Sequence, residues 1–188
     1  NNSGVTRGRK GVPMHIYQVI QDTMTAKQKK QVHIYCDGGA HNRDKNGIGA
    51  YGVVVVEDGE LVRQRGEAMR GVKSGRMEVM GLLYSIDHAV RNYDKLDDVT
   101  IFSDSRYCVD AYNKWLDNWS QKNWKRYKGG KVEHSDLWQL INTLKRSSVK
   151  VKWVKGHSGN IYNEMADDLV GEKMTEFEIA GRENKQRK

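Results

Sequence analysis

Four acidic residues sit in short segments whose neighbours mark the ends of regular structure. They are Asp37 in Cys36-Asp37-Gly38-Gly39, Glu78 in Arg76-Met77-Glu78, Asp104 in Ser103-Asp104-Ser105 and Asp167 in Asn163-Glu164-Met165-Ala166-Asp167. Any one of them alone reads as a turn or cap residue. A fold that gathered all four would crowd like charges, each raising the others' pKa unless a counterion lay among them. Hard divalent cations answer that need, because oxygen-only donor sets suit Mg2+ and Mn2+. Whether the four converge is therefore the question on which function turns.

The elements that must position them follow from periodicity. Val32–Cys36 reads as a strand closed by Asp37-Gly38-Gly39, and Ala50–Val56 as a second. Asp58-Gly59 is a hairpin signal that returns the chain through a third strand, Leu61–Met69. From Met77 to Tyr93 the apolar stripe Val79, Leu83, Ile86, Val90 specifies a helix, apolar on a second side through Met80, Leu82 and Ala89. Val99–Phe102 is a fourth strand and Arg106–Trp119 helical. His134–Lys145 is a helix with Ser135 as its cap, and Val149–Trp153 a fifth strand. A Gly-rich loop at Lys155–Asn160 then leads into a last helix through Met174. The order β-β-β-α-β-α-α-β-α gives an α/β fold: a five-stranded mixed sheet, its first three strands antiparallel, flanked by helices. If strands one and four are parallel neighbours, Asp37 and Asp104 lie side by side at the sheet end where ligands bind. Glu78 is then expected in the first turn of its helix, and Asp167 about two turns into the last one.

At 188 residues the chain suits one domain with tails. We expect a flexible basic arm at 1–30, a catalytic domain at 31–175 with a basic protrusion at about 112–132, and a flexible tail at 176–188. Met24 is a candidate natural start. The net charge of +8 points to a polyanionic partner. Cys36 and Cys108 have no metal-type spacing and are expected to be reduced thiols, which suits a cytoplasmic protein. No apolar run approaches a membrane span and no signal-peptide pattern opens the chain, so no membrane partner is expected.

From about Val32 to Met174 the chain resembles a type 1 ribonuclease H of the bacterial kind that carries a basic protrusion. The resemblance rests on Tyr35-Cys36-Asp37-Gly38, Arg76-Met77-Glu78-Val79-Met80, Ser103-Asp104-Ser105-Arg106-Tyr107, Trp153-Val154-Lys155-Gly156-His157, Asn163-Glu164 with Asp167, and the stretch from Trp115 to Asp136-Leu137-Trp138. It implies a monomeric endonuclease that hydrolyses the RNA strand of RNA–DNA hybrids, leaving 5′-phosphate and 3′-hydroxyl ends. It implies two Mg2+ ions, with Mn2+ possible in their place, on Asp37, Glu78, Asp104 and Asp167. Two such ions divide phosphodiester hydrolysis between the attacking water and the departing oxygen. The loop His157 would aid proton transfer or product departure, roles that suit an imidazole. Two other readings stay open: the ribonuclease H part of a reverse transcriptase polyprotein, and a non-catalytic hybrid-binding module.

Lys114, Lys122, Lys125, Arg126, Lys128 and Lys131 face a single acid, Asp117, and interleave with Trp115, Trp119 and Trp124. The cations suit phosphate contacts, which carry no sequence information and make affinity salt-dependent. Trp115 and Trp124 are candidate base or sugar contacts, although tryptophans at 115 and 119, one helical turn apart, also suit a local hydrophobic cluster. Hybrid selectivity must come from 2′-hydroxyls and duplex shape. Where the family has an Asn-rich stretch this chain has Lys73-Ser74-Gly75, and Lys73 is a candidate phosphate contact.

Overall fold

Nine residues, mostly buried as far as Cys36 and half-buried beyond it, open the sheet. Strand β1 (Val32–Ala40) lies between β2 (Ile48–Glu57), antiparallel to it, and β4 (Val99–Ser103), parallel to it. Strand β3 (Glu60–Arg70) pairs with β2, and β5 (Lys150–Trp153) with β4, giving the order β3-β2-β1-β4-β5. The computed structural model describes residues 13–27, 30–41, 47–145 and 148–187. The turn joining β2 to β3 uses positive φ at Asp58 (49°) and Gly59 (83°), the left-handed pair a two-residue hairpin needs.

The run from Tyr51 to Val56 is buried at every position because both faces of β2 are covered. One face carries Ile34, Ile101 and Val151 against α2 (Ser74–Asn92) and α5 (Ser135–Leu144). The other carries Tyr35, Val54 and Val56 against α6 (Ile161–Gln186), which packs through Ala166. Between β4 and α5 the chain runs through α3 (Arg106–Asp110), a π-helical turn (Ala111–Trp115) and α4 (Leu116–Gln121).

Five expectations need correction. Strand β1 does not end at Cys36: its parallel ladder to β4 stops at Cys36↔Ser103, but its antiparallel ladder to β2 runs on to Ala40↔Gly49. Gly38 marks a close helix crossing rather than a strand end, since a Cβ there would lie 2.2 Å from the Glu78 amide nitrogen. Helix α2 begins at Ser74, so Glu78 is its fifth residue and not in its first turn. His134, in left-handed conformation (φ 54°), is the N-terminal cap residue of α5, while Ser135 is buried inside the helix. The segment expected as one helix over 106–119 changes pitch at the π-helical turn.

The fifth correction concerns the ends. Helix α6 continues to Gln186 because 176–186 holds good helix formers with no proline, and Arg70 lies over the Phe177 ring at 5.4 Å. Met14–Lys27, expected within a flexible arm, forms helix α1, opened by Pro13, whose carbonyl accepts from the Ile16 amide at 2.9 Å. The rest of the expected arm, 1–12 and 28–29, lies outside the described residues. Contacts divide the chain into Asn1–Gln31 and Val32–Lys188. No described helix is long and apolar enough to cross a membrane, and Cys36 and Cys108 are buried free thiols.

Candidate active site

Asp37 occupies the step of β1 where β4 has let go and β2 still holds, paired with Gly52. Gly52 is there because α6 crosses above it: a Cβ would lie 2.6 Å from the Ala166 carbonyl oxygen. That crossing brings Asp167, the next residue of α6, to the Asp37 carboxyl. Asp37 is raised from 3.8 to about 7, first by burial, then by Asp104, and further by the charge and hydrogen bonding of Asp167. The Gly38 amide, donating to Asp37 Oδ1 at 2.7 Å, pulls the other way.

Asp104 is the first of two residues between β4 and α3, fixed from both sides. The Ser103 hydroxyl accepts from the Ser105 amide at 3.1 Å, and the Ser105 hydroxyl caps α3 by accepting from the Cys108 amide at 3.3 Å. The Trp153 indole donates to the Asp104 carbonyl at 3.0 Å. Gly156 backs the carboxylate so closely that a Cβ there would be 2.7 Å from Oδ2. The Ser105 hydroxyl also donates to Glu78 Oε2 at 2.6 Å, so one serine ties the cap of α3 to the acid of α2. Helix α2 is held to α5 by a two-pronged Arg76–Asp136 pair at 3.1 and 2.7 Å.

Asp167 is half exposed, and His157 Nδ1 stands 3.9 Å from its Oδ2 with the imidazole 82% exposed. His157 itself is left-handed (φ 51°) in a loop closed by Ser158 donating to the Lys155 carbonyl at 2.6 Å. The loop ends where Asn160 caps α6 by accepting from the Asn163 amide at 3.0 Å.

The donor set is four carboxylates, and Asp104 and Asp167 are both close enough to act on the charge of Asp37. Glu78 instead faces Ser105. Among the described residues no three Asp, Glu, His or Cys side chains stand close enough to form a finished metal cage. The chemistry of the set nonetheless fits a hard cation: every donor is a carboxylate oxygen, and burial together with the neighbouring carboxylates Asp104 and Asp167 pushes Asp37 up.

The cations of the protrusion are all exposed. Lys125 and Lys131 bridge as antiparallel partners, and the Arg126 amide donates to the Gly130 carbonyl at 2.9 Å, forming a small hairpin rooted at Trp124 and Val132. Lys114 is tied to Asp110 at 3.0 Å, and Asp117 to Lys145 at 3.4 Å. Trp119 and Trp124 pack against the core, with Trp119 5.8 Å from both Trp115 and Trp138, while Trp115 keeps 38% exposure. Lys122 is exposed, and Lys73 is exposed at the start of α2 without a capping bond.

Three features escaped the sequence reading. Ser105 links two acidic segments, Arg106 lies over the Trp153 ring at 3.9 Å beside Asp104, and Tyr127 is 94% exposed on the protrusion. Tyr127 could have been noticed as the one tyrosine among the lysines. The other two join residues 27 and 47 positions apart, which no local spacing reveals.

The family model described as RNase H matches residues 29–175. The chain belongs to the RNase H family. A ribonuclease H of Clostridium botulinum is 39% identical over 153 residues, covering 80% of this chain and 99% of that protein. One from Francisella tularensis subsp. novicida is 33% identical over 152 residues, covering 80% and 95%. Among solved structures, LC9-RNase H1, described as a type 1 RNase H with the type 2 active-site motif, superposes with a TM-score of 0.63. It is 27% identical and covers 76% of this chain and 73% of that one. The RNase H domain of prototype foamy virus has a TM-score of 0.64 at 18% identity over 80% of this chain and 98% of its own, a likeness of fold alone. The activity that RNase H membership carries is endonucleolytic hydrolysis of the RNA strand in an RNA–DNA hybrid, and the family uses divalent metal ions.

Proposed function

We propose that this RNase H cuts with two Mg2+ ions, for which Mn2+ can substitute, held by Asp37, Glu78, Asp104 and Asp167. The single observation that carries the reading is the Asp37 carboxyl, raised to about 7 by burial and by Asp104 and Asp167. A bound divalent pair supplies Lewis acidity at the attacking water and at the departing 3′ oxygen. The chain's own residues then have defined tasks. Asp37, on which both Asp104 and Asp167 act, would hold the ions together with them. Ser105 orients Glu78, and Ser103, Ser105 and Trp153 hold the backbone on either side of Asp104. His157, exposed on its loop 3.9 Å from Asp167, can reach substrate and carry a proton.

Lys73, Lys114, Lys122, Lys125, Arg126, Lys128 and Lys131 take phosphates of the hybrid, and Trp115 and Trp124 flank that path, with Trp115 the more accessible. The domain at 31–175 carries this activity, and we take it to work as a monomer in the cytoplasm, a compartment suited to its free thiols. The reverse-transcriptase reading has less support, because bacterial ribonucleases H are more similar in sequence than the foamy virus domain, at 39% against 18%.

Incubation with an end-labelled hybrid, an RNA duplex and a DNA duplex, each in Mg2+ and in EDTA, tests the function. We expect cleavage of the hybrid's RNA strand alone, with 5′-phosphate products and none in EDTA. Equal cutting of the DNA duplex, or cutting in EDTA, overturns it.

A further inference from the structure

Away from the carboxylates, helix α2 turns a second polar stripe toward edge strand β3. Asp87, His88 and Arg91 recur at helical spacing on that stripe, and Arg63 and Arg65, two apart on β3, face them. A cavity of about 210 Å3 lies between, floored by Val53 and Val55. Arg91 is some 13 residues along the helix from Glu78, roughly 20 Å at 1.5 Å per residue, so this cavity is separate from the catalytic carboxylates.

Arg63, Arg65 and Arg91 all line this one cavity, and their neighbours offset their positive charge only in part. Arg91 is paired with Asp87 at 2.7 Å. Arg65 reaches Glu67 at 3.2 Å while its guanidinium lies 4.2 Å over the Tyr84 ring, which is itself stacked on buried Tyr51. Arg63 forms no ion pair with a described residue. His88 is held below its ordinary value by burial and then by Arg63, against smaller opposing effects of Asp87 and Glu57, so its imidazole adds a neutral hydrogen-bonding edge and no further charge. Both faces of Tyr84 are already covered, by Tyr51 and Arg65, so no aromatic ring can stack there. The volume is below that of ordinary drug-sized pockets. What remains is a compact anion site whose planar donors match phosphate oxygens.

We propose that the cavity between α2 and β3 binds a phosphate group through Arg63, Arg65 and Arg91. The group is a dianionic phosphate, whether free inorganic phosphate or the terminal phosphate of a nucleic-acid strand. The second source rests on the RNase H reading, since hybrid cleavage leaves 5′-phosphate ends.

Thermal unfolding of the full chain in EDTA, in potassium phosphate against KCl of equal ionic strength, tests it. Phosphate at a hundred times its Kd should raise Tm saturably by roughly 5 °C or more. The rise should be lost in the double variant Arg63→Gln/Arg91→Gln and kept in Lys125→Ala/Lys128→Ala on the protrusion. Arg63→Lys, which keeps charge but not the planar fork, should weaken it at least threefold and guards against a folding defect in the double variant. Hybrids with 5′-phosphate and 5′-hydroxyl RNA ends separate the sources: a several-fold preference for the former, lost in the double variant, assigns the strand terminus, and none assigns the free anion. No phosphate effect beyond KCl, or one unchanged in the double variant, overturns the proposal. Loss of hybrid cleavage by the wild-type chain would instead strike the RNase H reading and leave this site standing.

Discussion

Replacing Asp37 by Asn should stabilise the metal-free protein while abolishing its chemistry. In the folded chain Asp37 keeps its proton to about pH 7, whereas in the unfolded chain it loses it near 3.8. Between those values the folded state binds more protons, so stability falls as pH rises through the window and levels off above it. Below about pH 4 both states are protonated and the penalty vanishes. At 1.36 kcal/mol per pKa unit the full difference is about 4 kcal/mol. Relaxation around the charged Asp37 takes up part of that difference, so we expect about 2 kcal/mol from the single substitution. The asparagine keeps an oxygen for the Gly38 amide, so the bond at 2.7 Å survives. In a chain of 188 residues this corresponds to a Tm roughly 4–8 °C higher at pH 8. The assay is thermal unfolding in EDTA from pH 4 to 8 for wild type and Asp37→Asn. The curves should meet near pH 4 and diverge with rising pH, and Mg2+ should raise the wild-type Tm more than the variant's. A variant no more stable than wild type at pH 8, or an advantage that does not change with pH, refutes the reasoning.

Three further outcomes follow from the same geometry. Gly156→Ala puts a Cβ 2.7 Å from Asp104 Oδ2, so turnover should fall at least tenfold with Tm little changed, because the loop can yield but the carboxylate is displaced; steady-state kinetics with a circular-dichroism melt checks this. Ser105→Ala removes both the α3 cap and the Glu78 partner, and should lose about 1 kcal/mol in urea unfolding together with activity, whereas Ser105→Thr should retain much of both. Replacing Lys125, Lys128 and Lys131 together by alanine should weaken hybrid binding about equally for all sequences. It should also make the dependence of log K on log salt shallower, by roughly one for each phosphate no longer neutralised, measured by fluorescence anisotropy in Ca2+.

Much of this architecture was legible because its signals are local. The hairpin at Asp58-Gly59, the apolar stripe of α2 and the valine run of β2 each state their element within a few residues. The reading failed where tertiary contact overrides a local breaker. Gly38-Gly39 reads as a strand terminus, yet Gly38 is glycine because α2 crosses it, and pairing to β2 carries the strand on. Ser135 is a good cap by type, but His134 takes the left-handed position ahead of α5. Asp37, Glu78, Asp104 and Asp167 could be picked out by type and setting. That Asp37 responds to Asp104 and Asp167 while Glu78 turns to Ser105 depends on side-chain directions that spacing does not encode.

The central claim is that these four carboxylates form the metal-dependent centre that cuts RNA in a hybrid. Single-turnover cleavage of a labelled hybrid by wild type, Asp37→Asn and Asp104→Asn, with hybrid affinity measured in parallel in Ca2+, tests it most directly. The account predicts rates lower by about a thousandfold or more in each variant, with affinity within a few-fold of wild type. Cleavage by either variant within tenfold of wild type would contradict it.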